Sequence, residues 1–257
     1  MPATIETLTR FPVKGLSGQT LNSVQLKTGE GFPCDRKFGF ARPNSGFDPD
    51  NPKPLPKTKF YMLARDAKLA LLRTEYDEGS GILSISAPPI SEQFDITAPV
   101  GQQKASEFIK TYLSLPDDET PQLFEASPHR FTDVSVHSTE LMNAVSIINL
   151  DSVAAFAAAI GQDVDARRFR GNIELSGLAP FSELDLVGRE LLIGSARLKV
   201  VKRTRRCPAT EVDLASGIRN IKTPKLLQEH YGHTDMGVYA EVLDDGIISS
   251  GDTVDLA

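Results

Sequence analysis

The chain has 257 residues, 40% hydrophobic and 24% charged, with a net charge of −6, an ordinary globular composition long enough for one large domain or two modest ones. The negative total disfavours nucleic acid and anionic membranes as partners, so local basic clusters carry more meaning than the sum. No signal segment is legible and no apolar run approaches the ~20 residues of a bilayer span, so the expectation is a cytoplasmic chain. Two cysteines, far apart and with no CxxC or Cys/His ligand spacing, exclude a zinc ribbon or a self-contained iron–sulfur cluster.

Residues 3–42 alternate in the strand sense, with Ile5, Leu8, Phe11, Leu21, Val24 and Leu26 between turns at Gly15, Gly18, Gly29 and Gly31. The stretch 43–56 is rich in Pro, Asn, Asp and Gly and reads as an exposed loop able to close over a site. Helices are expected over 63–72, over 102–113 with Ala105, Phe108, Ile109 and Leu113 on one face, and over 150–160 with Asn149 or Asp151 as cap and Gly161 at its end. The polar stretch 116–128 marks a division near residue 125, giving an N-terminal domain of residues 1–125 and a second domain of residues 126–257. In the second domain, residues 191–200 read as a hairpin turning at Gly194-Ser195, 225–231 as a short helix after Pro224, and 238–243 with 247–248 as strands around Asp244-Asp245-Gly246. Many short strands with regular turns point to a mainly β chain with some helix, an α+β fold containing a barrel.

Chemistry concentrates at Arg203-Thr204-Arg205-Arg206-Cys207-Pro208. A thiol among fixed cations is pushed towards thiolate, the form that binds a soft metal or attacks an electrophile, which makes Cys207 the first candidate. The alternative is a charged edge strand followed by a structural cysteine. A second basic group, Arg167-Arg168-Phe169-Arg170-Gly171-Asn172, offers guanidinium forks for phosphate and an amide that both donates and accepts. Lys14 in Pro12-Val13-Lys14-Gly15 is a point charge for a phosphate, and Arg36 can be held by Asp35. Cys34 fits a small buried hydrophobe. No GxSxG, Walker or GxGxxG pattern occurs, so serine hydrolases, P-loop enzymes and Rossmann dehydrogenases are disfavoured.

In order and spacing, Phe11-Pro12-Val13-Lys14-Gly15, Asp35-Arg36, Arg168-Phe169-Arg170-Gly171-Asn172-Ile173, Leu192-Ile193-Gly194, Arg205-Arg206-Cys207-Pro208-Ala209-Thr210, Val212-Asp213 and Gly237-Val238-Tyr239-Ala240 resemble the MOSC family, the molybdenum-cofactor sulfurase C-terminal domain proteins. The resemblance extends to members carrying an N-terminal MOSC-associated β domain. It implies a MOSC β-barrel behind that domain, binding a pyranopterin molybdenum cofactor with Cys207 as the thiolate on molybdenum at the mouth of the barrel. By motif it carries cofactor contacts to Lys14, Gly15, Arg36, Arg170, Asn172, Arg205, Arg206 and Tyr239, and to Ser138 beside the poorly matching His137. Gly15 stands where amidoxime-reducing members commonly have a hydroxyl residue. The family also has an association with pyridoxal phosphate, to which no residue of this chain is assigned.

The function so implied is reduction of an N-hydroxylated small molecule, with electrons from a separate haem, flavin or iron–sulfur protein. The rival is a cofactor or sulfur carrier, with Cys207 holding a persulfide and no redox turnover. A scaffold for phosphate or RNA is the remaining class. Aromatic content of 7%, the absence of Trp and the negative total argue against it, because nucleic acid needs stacking platforms beside its cations.

Overall fold

The computed structural model describes residues 3–136 and 138–256, so His137 lies outside the described residues. Strand β1 (Ala3–Arg10) buries Ala3, Ile5 and Leu8; the step from Ile5 to Leu8 breaks strict alternation because the register shifts between Ile5 and Thr7. β1 pairs with β10 (Ile173–Ser176) and with β15 (Thr253–Leu256). Those pairings close a seven-stranded barrel whose other staves are β9 (Val145–Asn149), β13 (Asp235–Asp244), β12 (Ala196–Arg205) and β11 (Glu190–Ile193). The first strand of the chain is thus a stave of the barrel built by its second half. Closure leaves no free edge among the staves.

The lumen is filled, with Ile5, Val145, Ile147, Leu198, Val238 and Ala240 meeting in one apolar cluster. β3 (Ser23–Leu26) and β14 (Gly246–Ser249) form a two-stranded ribbon adding Val24, Leu26 and Ile248 to that core. β9 and β10 are parallel, as their connection through helix α3 (Leu150–Ile160) requires. α3 begins and ends where expected: the Asn149 side chain accepts from the Asp151 N–H at 3.1 Å, and Gly161 closes the helix at φ +64°. Helix α4 (Thr223–Tyr231) likewise has Pro in its first turn and ends at Gly232 with φ +75°. The hairpin turning at Gly194-Ser195 forms as β11 and β12. β12 pairs with β13 along its length but with β11 only over Ala196–Lys199, so Arg197 and Lys199 are flanked on both sides while Lys202, Arg203 and Arg205 lie on a stretch paired with β13 alone.

The N-terminal half has its own core. β4 (Phe38–Ala41) pairs with β8 (Gln122–Glu125), while β5 (Arg73–Asp77), β6 (Ile82–Ala87) and β7 (Ile90–Asp95) form a three-stranded sheet. Helix α1 (Pro99–Leu113) packs on β7 and β8 and adds Ala105 and Ile109 to the cluster that holds Phe38, Phe40, Leu83 and Ile85. Two expectations change here. Residues 63–72 make a 3-10 turn over Ala67–Leu71 rather than an α-helix, with the Asp66 carboxylate spent on the Met62 N–H at 3.0 Å and on Arg42 at 2.8 Å. The loop 43–56 is pinned at Phe47, which is 9% exposed and packs on Phe60, Phe124, His129 and Phe131. Burying that ring contributes about 1.5–3 kcal/mol, which offsets the ordering of a Pro- and Gly-rich stretch. No helix among the described residues is long and apolar enough to cross a membrane.

Candidate cofactor site

Cys207 lies just past the end of β12, where Pro208 starts a 3-10 turn over Pro208–Glu211. Its carbonyl accepts from the Thr210 hydroxyl at 2.9 Å and the Thr210 N–H at 3.1 Å. Arg219 staples this turn to the other half of the chain: its guanidinium donates to the Pro208 carbonyl at 2.6 Å and to the Leu63 and Ala64 carbonyls at 3.0 and 2.8 Å. The cysteine therefore faces the N-terminal half at a fixed place, half-buried and free of any disulfide.

Three guanidiniums from separate stretches of chain gather near it: Arg206 lies within range of the Cys207 sulfur, Tyr239 lies within range of both Arg206 and Arg36, and Arg36 within range of Arg170. Arg36 donates to the Arg170 carbonyl at 3.1 Å, and both Arg36 and Arg170 stack on the Phe11 ring, with guanidinium carbons 4.5 and 4.2 Å from its centroid. Arg170 donates to the Leu16 carbonyl at 2.6 Å, while Arg206 donates to the Met236 and Phe169 carbonyls at 2.8 and 2.9 Å. Neither Arg170 nor Arg206 has a carboxylate within salt-bridge distance among the described residues. Burial pushes the Arg170 guanidinium down to about 9, with Arg36 adding to the effect, and Arg206 down to about 10 against the opposing pull of Tyr239 and Cys207. Both remain cations at neutral pH. Carboxylates act on both only from beyond salt-bridge distance, Asp35 and Asp133 on Arg170 and Asp235 and Glu183 on Arg206, so a directly bound anion would add to their stability.

The peptide between Met236 and Gly237 is gripped at both ends. Arg206 holds its carbonyl, and the Glu183 carboxylate, 1% exposed, accepts from its N–H at 3.3 Å. Only glycine fits at 237, where φ is +76° and a Cβ would stand 2.3 Å from the Ile147 carbonyl oxygen. Through that peptide a buried anion polarises the group that holds Arg206. Tyr239 projects from the outward side of β13, since Val238 and Ala240 line the lumen. Burial raises its phenol against the pull of Arg206 and Arg36, which places it beside the same charges.

Lysines complete the cluster. Lys14, 5% exposed, donates to the Phe131 carbonyl at 2.9 Å and to Asp133, whose second oxygen accepts from Lys57 at 3.1 Å. Burial lowers the Lys14 ammonium, with Asp133 opposing it. Burial likewise disfavours charge on Lys57, but Asp133 and a hydrogen bond with Cys207 outweigh it and raise that ammonium. On Asp133, burial is overcome by the two ammoniums, which hold the carboxyl well below the usual carboxylate range. Lys57 and Asp133 were not expected from the sequence. Lys57 opens a 3-10 turn over Lys57–Lys59 just after the Pro-rich loop and Asp133 sits in an irregular stretch, so neither carries a periodic or motif signal.

The remaining expected residues sit differently. Asn172, 1% exposed, lies behind the cluster with its amide spent inside the protein: it donates to the Thr9 carbonyl and the Asp35 carboxylate at 3.1 and 2.9 Å and accepts from the Ser146 N–H at 3.0 Å. Asp35 in turn accepts from the Phe11 N–H at 2.8 Å and pairs with Arg36, so Asn172 acts on Arg36 through Asp35. Arg205 is exposed and, with Arg203, faces away from buried Thr204. The Ser138 hydroxyl caps the short helix α2 (Thr139–Met142), accepting from the Leu141 N–H at 3.1 Å. Gly15 contributes backbone alone: its φ is +81°, and a Cβ would stand 2.9 Å from the Tyr61 carbonyl oxygen. Gly15→Ala is expected to cost about 1–3 kcal/mol in denaturant unfolding; an unchanged midpoint would refute this.

The donor set tests which group fits. Among the described residues no three His, Cys, Asp or Glu side chains are placed to hold a metal together. A metal bound at Cys207 must then bring most of its ligands on a carrier, and the cations around it require that carrier to be anionic. A metal on an anionic organic dithiolate meets both conditions.

Two family models follow one another along the chain. The model of the MOSC N-terminal beta barrel domain matches residues 2–127, and that of the MOSC domain matches 133–255. Mitochondrial amidoxime-reducing component 1 of Xenopus laevis is 28% identical over 182 residues, 62% of this chain and 52% of that protein, so the chain spans about half the length of this relative. Among solved structures, the YUAD protein from Bacillus subtilis covers 99% of this chain and 94% of its own at 13% identity and a TM-score of 0.46. YiiM from Geobacillus stearothermophilus covers 44% and 53% at 22% identity and a TM-score of 0.35. With the two domain models following one another along nearly its whole length, the chain belongs to the MOSC family, in the arrangement with a MOSC N-terminal beta barrel domain ahead of the MOSC domain.

Proposed function

We propose that this chain is an oxidoreductase that binds a pyranopterin molybdenum cofactor in the cationic cluster, with Cys207 as the protein thiolate on the metal, and reduces N-hydroxylated small molecules. The observation behind this reading is a group of buried guanidiniums without salt-bridged carboxylates, Arg170 crowded by Arg36 and Arg206 within range of a half-buried thiol. Lys14, Arg36, Arg170 and Arg206 would hold the anionic parts of the cofactor, Tyr239 would border it, and Cys207 would anchor the metal. When bound, the cofactor supplies two-electron chemistry at a metal that takes oxygen from a substrate. Cleavage of the N–O bond consumes two electrons and two protons and releases water. On this reading the electrons arrive from a separate haem, flavin or iron–sulfur protein, and the chain works in the cytoplasm without nucleic acid or membrane as partner. The similarity to an amidoxime-reducing component supports the choice of substrate class.

The chain's own groups define the surroundings of that reaction. Arg36 and Arg170 are kept in place by the Phe11 face, Arg206 by the Met236 and Phe169 carbonyls, and Cys207 by Arg219 and Thr210. A preset array of this kind binds an anion without reorganising. The test is turnover of an amidoxime or an N-hydroxylated base by cofactor-loaded protein with a chemical reductant. Product is expected from the wild type and none above background from Cys207→Ser. A loaded wild type that makes no product would favour a cofactor or sulfur carrier instead.

A further inference from the structure

The Asp133 carboxylate stands between two ammoniums, one oxygen on Lys14 and the other 3.1 Å from Lys57. Lys14 is 5% exposed and its other acceptor is a backbone carbonyl, so Asp133 supplies the negative charge that allows an ammonium to be buried there. Asp133 itself is 43% exposed and belongs to no helix or strand. Arg170 and Tyr239 lie within range of its charge. A partly exposed carboxylate that neutralises a buried cation within a cluster of cations stands where an external anion would sit.

We propose that Asp133 is an internal anion competing with the phosphate-type group of a ligand for Lys14 and Lys57, so that it sets which anions the cluster accepts. A lone phosphate gains two ammoniums only by releasing Asp133 from them, an exchange of like for like. A larger anion also gains Arg36, Arg170 and Arg206, and that surplus displaces the carboxylate. Asp133 thus rejects small free anions and admits a ligand with several points of attachment. That the larger ligand is a pterin cofactor rests on the function proposed above; the competition at Lys14 and Lys57 does not.

The experiment uses the full chain and inorganic phosphate as probe. Phosphate affinity is measured by titration calorimetry, and thermal unfolding is followed in phosphate and in sodium chloride of equal ionic strength. In chloride, Asp133→Asn is expected to melt below the wild type, because Lys14 has lost its carboxylate. Phosphate should raise the melting point of the variant and leave the wild type unmoved, with phosphate binding tighter in the variant by on the order of tenfold. The double variant Lys14→Met/Asp133→Asn removes both buried charges, should fold, and should lose the phosphate response. Equal phosphate affinity in wild type and Asp133→Asn, or a phosphate response that survives in the double variant, would overturn the proposal. Neither readout involves molybdenum, so a chain that never takes up the metal would still show the competition.

Discussion

Asn172→Ala is expected to lower stability by about 3 kcal/mol, because it takes their Asn172 partner from a buried N–H, a partly buried carbonyl and one side of Asp35 at once. For a chain of this length the melting point should fall by about 6–12 °C. The effect reaches beyond its own packing. Asn172 joins β1, β9 and the turn that carries Arg36, three segments remote in sequence. Losing it frees Asp35, and with Asp35 the guanidinium it orients. Asn172→Asp should be worse, since it puts a second carboxylate against Asp35 in a site that is 1% exposed. Calorimetric melting of both variants checks this; a shift within error of zero for Asn172→Ala would mean that the amide contributes nothing net.

The second large effect belongs to Glu183. Its carboxylate accepts from the Asn149 amide at 3.1 Å, the Ser152 hydroxyl at 2.7 Å and the Gly237 N–H at 3.3 Å. Glu183→Ala leaves the Ser152 hydroxyl and the Gly237 N–H without this acceptor and the Asn149 amide with the Ala179 carbonyl alone, at an expected cost of about 3–5 kcal/mol. Glu183→Gln should cost less but not nothing, because its NH₂ must face one of those donors. Since Glu183 holds one end of the Met236–Gly237 peptide and Arg206 the other, both variants should also weaken anion binding at Arg206. Urea unfolding with matched slopes, alongside anion titration, separates the two effects. Wild-type stability in Glu183→Ala would show that the three donors find other partners.

Much of this architecture can be read from local chemistry. Asn149 and Gly161 delimit α3 because an N-cap side chain and a left-handed C-terminal residue each act within a turn of the helix. Gly194 and Ser195 mark the β11–β12 hairpin for the same reason. Closure of the barrel is different. β1 meets β10 and β15 across most of the chain, and nothing in residues 3–10 identifies partners so remote. Phe47 shows the limit of composition: a stretch of Pro, Gly and Asp reads as exposed, yet one aromatic ring pins it to Phe60 and Phe131.

The site divides along similar lines. Lys14, Arg36, Arg170, Arg206, Cys207 and Tyr239 sit in motifs whose spacing carries the family, and the fold brings them together. Arg205 shares a motif with Arg206 but points outward, since register shifts along β12 and β13 decide which side each residue takes. Ser138 serves its own helix as a cap. Lys57 opens a short 3-10 turn and Asp133 belongs to an irregular segment, and they enter the cluster only through tertiary contact.

The function proposed for this site rests on Cys207, near these cations, holding a metal carried by an anionic organic ligand. Molybdenum and pterin per chain, measured on protein purified from a host that makes the cofactor, decide whether it does. Both are expected in the wild type, with molybdenum lost in Cys207→Ser; equal molybdenum in the two proteins would rule the assignment out.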